Sequence, residues 1–150
     1  MAQVKAEWEI IPEFNELAEK LVEKYKQKFY GIETDIIRCY AITNKERSQK
    51  NNKFWELKPV PYPVRLDCPY SYYITVHLSD WEGMEKKHRL AMIAQILHSI
   101  PLDENGQMED GKVIPFDLKD HSPMVRTFGA DYLVRDDIPD LLDEEVEWID

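Results

Sequence analysis

Arg89-Leu-Ala-Met-Ile-Ala-Gln-Ile-Leu-His98 decides how the rest of the chain is read. Leu90, Ile93, Ala94 and Leu97 recur at three- and four-residue intervals, so a helix would gather them on one apolar face. Upstream, Tyr70-Ser-Tyr-Tyr-Ile-Thr-Val-His-Leu78 is rich in aromatic and β-branched residues and predicts the strongest strand of the chain. Between the two, Ser79 or Asp80 is expected to cap one helix running to about His98. Glu82 and Glu85 then fall in its first turns, where the helix dipole favours acids. Pro101 and the polar stretch from Asp103 to Gly111 end it.

Working outward, a second amphipathic stripe appears near the amino terminus. Phe14, Leu17, Ala18, Leu21, Val22, Tyr25 and Phe29 follow helical spacing, with Pro12 in the first turn and Gly31 at the stop. Asp35 to Thr43 alternates as a strand, with Ile37, Cys39 and Ala41 facing one way and Ile36, Arg38, Tyr40 and Ile42 the other. Asn44 to Lys53 reads as a surface loop, and Phe54 to Leu57 as a short strand. Pro59, Pro61 and Pro63 then favour an extended or edge segment, because proline cannot donate to an interior ladder. Val113 to Leu118 is a short extended piece leading to Asp120-His-Ser-Pro, and Met124 to Phe128 a last helix stopped at Gly129. The expected fold is α+β: a sheet of three or four strands packed against two main helices, sharing one core.

Size and charge narrow the functions. A chain of 150 residues is one domain, able to bury roughly two-thirds of its unfolded surface. We place the domain at residues 1–132 and an acidic tail at 133–150. From Asp131 to Asp150 nine acids face one Arg, which accounts for most of the net charge of −10. Such acidity repels phosphates and argues against direct nucleic-acid binding. The tail reads either as a solvated end or as a surface that docks on a basic protein, with Leu141, Leu142, Val146 and Trp148 as anchors. No apolar run suits a membrane span and no signal peptide opens the chain, so a cytoplasmic location is expected. Cys39 and Cys68 form no metal motif and read as reduced thiols.

The chemistry turns on Ala94-Gln-Ile-Leu-His98. A zinc peptidase helix carries His-Glu-x-x-His: two imidazoles one turn apart hold the metal, and the Glu takes a proton from bound water. Here the second His stands, the first is a methyl group, and the base is its neutral amide. Further pieces lie at Asp35-Ile-Ile, Tyr73-Ile-Thr-Val, Asp120-His-Ser-Pro and Thr127-Phe-Gly-Ala-Asp-Tyr132. From the first helix to Tyr132, this order resembles the putative phage metallopeptidase family, small zincin-like proteins encoded mainly by bacteriophages and prophages. The resemblance implies a zincin-like domain, with His98 as the second helical zinc ligand and His121 as the downstream ligand.

The departures from that pattern set the functional expectation. Catalytic zinc takes three protein ligands and a water, and His98 with His121 supplies two. Gln95 cannot act as a general base at neutral pH. His88 would lie about 280° around the helix from His98. His77 points away from the core face, and Asp120 is an adjacent-residue candidate for an oxygen ligand. We therefore expect no catalytic residue and no cofactor, with zinc at His98 and His121 at most a vestige. The leading expectation is a catalytically inactive, peptidase-like phage or prophage protein in the cytoplasm of a bacterial host. It would act by binding a protein, for instance a basic host enzyme or a component of a defence system. The alternatives are a zinc-dependent hydrolase with an unidentified third ligand, and a purely structural or assembly role.

Overall fold

The computed structural model describes residues 7–43, 54–109, 111–116 and 120–149. The architecture is α+β, with one mixed sheet of four strands: β1 (Glu7–Ile10), β2 (Ile37–Thr43), β3 (Trp55–Pro59) and β4 (Tyr72–His77), in the order β1-β2-β4-β3. β2 and β4 run parallel at the centre, while β1 and β3 pair antiparallel on the two edges. Pro59 at the end of β3 sits where an edge tolerates it. The alternation read from the sequence is obeyed: Ile37, Cys39 and Ala41 are buried on β2, and Tyr72, Ile74 and Val76 on β4. β1 was not expected. Its four residues are all exposed, so no burial pattern marks them in the sequence.

α1 (Pro12–Lys24) buries Phe14, Leu17, Ala18 and Leu21. It ends earlier than the stripe suggested, and Tyr25 and Phe29 reach the core from the following turns. Gly31 lies beyond the helix, at φ +88°, where a Cβ would come within 1.9 Å of the Gly106 carbonyl oxygen. Its role is close approach to that loop, rather than stopping the helix. The Asn15 amide donates to the carbonyls of Thr34 (3.1 Å) and Ile37 (2.9 Å), pinning the entry to β2 against α1.

The single helix expected from Ser79 or Asp80 to His98 is two helices, α2 (Leu78–Gly83) and α3 (Lys86–Leu97). His77 occupies the first cap, and neither Ser79 nor Asp80 caps with its side chain. Gly83 weakens the helix, and the Trp81 carbonyl finds other donors: the Met84 amide at 3.2 Å and Arg89 Nε at 3.0 Å. Arg89 also reaches both carboxylate oxygens of Glu13 (2.8 and 3.0 Å), so one side chain joins α1, α2 and α3. α3 is buried all round from Leu90 to Leu97, where each Leu or Ile contributes roughly 1.5–3 kcal/mol. α4 (Ser122–Phe128) ends at Gly129, φ +81°. Residues 113–116 form no strand, and 44–53 and 117–119 lie outside the described residues.

Candidate functional site

The two histidines singled out from the sequence come together. His98 caps the carboxyl end of α3 and His121 the amino end of α4, and their ring centroids lie 6.0 Å apart, tilted by 33°. His121 is buried and His98 half-buried. Each ring already has a protein partner. His98 Nδ1 lies 2.7 Å from the Ala94 carbonyl oxygen one turn back, which makes that nitrogen the donor. His121 Nε2 lies 2.6 Å from the Ser99 hydroxyl. The Phe116 ring meets His121 edge-on at 4.8 Å. Asp120, the oxygen candidate beside His121, has a backbone partner of its own. Its carboxylate accepts the His121 backbone N–H at 2.7 Å, satisfying a donor at the start of α4. Burial first, and then the Asp120 charge, push the Tyr132 phenol far above its ordinary pKa, so it stays protonated.

Gln95, which the sequence reading sets against a peptidase's general base, is equally committed. Gln95 is buried, and its Oε1 accepts a hydrogen bond from the Trp55 indole at 2.6 Å. Ala94 is fully buried in the core. The remaining histidines lie elsewhere: His88 Nε2 meets the Arg135 carbonyl at 2.6 Å, and His77 occupies the cap position of α2 without a capping bond from its side chain. Ser99 and Trp55 were missed in the sequence. Ser99 adjoins His98, but nothing local links residue 55 to residue 95.

The acidic segment packs on the domain. Leu141 is fully buried, and Leu142, Val146 and Trp148 lie against the core. Lys24 donates to the carbonyls of Leu142 (2.9 Å) and Glu144 (2.6 Å), and the Tyr25 hydroxyl to that of Leu141 (2.7 Å). Trp148 sits in an aromatic cluster, its ring 5.4 Å from Phe128, 5.6 Å from His98, and 5.8 Å from both Tyr25 and Phe29. The apolar anchors therefore face inward, while Asp143, Glu144, Glu145 and Glu147 face solvent.

A family described as putative phage metallopeptidase matches residues 6–144. The chain belongs to this family. No curated protein and no solved structure matches it. Membership in the putative phage metallopeptidase family raises the question of zinc, and the described residues do not fit a catalytic site. No three His, Cys, Asp or Glu side chains among them converge on a common point. One nitrogen of each imidazole faces a protein partner, Ala94 offers a methyl, and Gln95 is bonded to Trp55. No helix among the described residues is long and apolar enough to cross a membrane.

Proposed function

We propose that this family member keeps a peptidase frame without hydrolysis and acts by binding another protein in the host cytoplasm. The observation that carries this reading is the bond between Gln95 and Trp55. The side chain in the place of the general base is a neutral amide, buried and engaged by the sheet. The exposed acids of the carboxyl-terminal segment favour a partner with a basic surface. Family membership makes a host enzyme or defence protein the first kind to test.

The decisive experiment counts zinc per chain in protein prepared without chelator and follows peptide cleavage before and after EDTA. The expected result is little zinc and no chelator-sensitive cleavage. Near-stoichiometric zinc, lost in His98→Ala and His121→Ala together with cleavage, would overturn the reading. Binding is tested with Glu145→Lys and Glu147→Lys, exposed positions whose reversal leaves the core intact. A partner captured equally by wild type and both variants does not dock on this face.

The second reading, a zinc-dependent hydrolase using His98, His121 and a third ligand, is favoured by one observation. Residues far apart in sequence bring their imidazoles to 6.0 Å. The same zinc count separates the two.

A further inference from the structure

The open edge of β1 carries an inference beyond that reading, since it uses neither the histidine pair nor the acidic segment. The Ile11 amide donates to the Cys39 carbonyl at 3.1 Å. In an antiparallel ladder, hydrogen-bonded pairs recur at every second residue, so Glu9 with Ala41 and Glu7 with Thr43 are the other such pairs. The peptide N–H and C=O groups of Trp8 and Ile10 must then point away from β2. Among the described residues β1 is the last strand on its side of the sheet, and none of them hydrogen-bonds those groups.

The side chains along this edge are unusual for a protected one. Trp8 is 58% exposed and Ile10 45%, both on one face of the strand, while Glu7 and Glu9 line the other. Exposed edges are templates for pairing, and large apolar side chains beside free backbone groups strengthen the template. We infer that the β1 edge is a docking site for an extended segment of another protein in which apolar and basic residues alternate. Main-chain bonds to Trp8 and Ile10 would hold the strand. Its apolar residues would cover those two side chains, and its basic residues would face Glu7 and Glu9.

A second copy of this chain is the poorer occupant. Two β1 edges meeting about a two-fold axis must keep outward backbone groups opposite each other. The registers that overlap best then set Glu9 against Glu9, or Glu7 against Glu9, between two molecules each of net charge −10.

The test uses the full chain and a capped peptide, Val-Lys-Val-Lys-Val-Lys-Val, against one of identical composition with the lysines clustered. Affinity is measured by calorimetric titration and amide exchange by NMR. The alternating peptide is expected to bind at least about tenfold more tightly and to slow exchange at the Trp8 and Ile10 amides. Trp8→Pro and Ile10→Pro each remove an outward donor and spare the ladder to β2, and both should abolish the preference while melting like wild type. Glu9→Lys leaves the backbone untouched and should erase the preference even where a proline variant fails to fold. Equal binding of the two peptides overturns the proposal, as does a preference that survives Glu9→Lys. A dimer in sedimentation that Ile10→Pro dissociates overturns it too, since the occupant is then a second copy.

Discussion

Trp55 Nε1 donates to Gln95 Oε1 at 2.6 Å, tying the edge strand β3 to the last turn of α3. Both residues are buried. Trp55→Phe keeps an aromatic ring and strands the Gln95 oxygen. We expect a loss of about 1–3 kcal/mol, the cost of a buried acceptor left unmade, read from denaturant unfolding.

Gln95→Glu puts a carboxyl in the buried place of the amide and is expected to weaken the fold without creating a peptidase. A carboxyl buried here ionises less readily than in the unfolded chain, so its folded pKa rises. The deficit relative to wild type should be absent below the unfolded value of about 4.3 and grow as pH climbs above it. Melting curves of both proteins from pH 4 to 8 check this, and a deficit independent of pH would contradict it.

Cys39 is fully buried, and burial pushes its thiol up to about 12 from the ordinary 9.0. Iodoacetamide on the native protein should label Cys68, which is half-buried, and spare Cys39 until denaturant is added. A thiol raised on folding contributes stability that is complete below its unfolded pKa. That contribution is lost as pH rises from there through the folded value. Alkaline unfolding of wild type should therefore be steeper than that of Cys39→Ala.

Leu141 and Glu145 separate the two faces of the acidic segment. Leu141→Ala, at a fully buried site, should cost about 2–5 kcal/mol. Glu145→Lys should change stability by less than about 0.5 kcal/mol, because its ion pair with Lys24 spans 3.8 Å and its side chain is 93% exposed. Equal effects would mean that the segment does not pack as described.

Gly31→Ala combines two penalties. The residue sits at φ +88°, and an added Cβ would collide with the Gly106 carbonyl oxygen at 1.9 Å. The backbone there cannot give without moving the loop, so we expect more than about 1 kcal/mol of destabilisation. Gly111→Ala, at φ +80° with nothing nearby, carries the strain alone and should lose less.

The parts of the fold that the sequence made legible are those written as local periods. The α1 stripe from Phe14 to Leu21 and the alternation of β2 and β4 fix which side faces the core, whereas α3 is buried all round and shows no single core face. The candidate site was legible only as residue types: a methyl at 94, an amide at 95, and imidazoles at 98 and 121. β1 escaped because four exposed residues have no buried side to betray them. The break between α2 and α3 escaped because, beside the local weakness at Gly83, the Trp81 carbonyl is taken by Arg89, eight residues further on.

The sequence by itself determined the buried face of α1, the strand alternation and the residue types at positions 94, 95, 98 and 121. Tertiary structure alone decided that Trp55 would hold Gln95, that Ser99 would hold His121, and that Leu141 would enter the core. The reason lies in the range of the interactions. Side-chain periodicity records how one segment meets an apolar surface. A hydrogen bond between residues 55 and 95 exists only once the chain has closed and removed both groups from water.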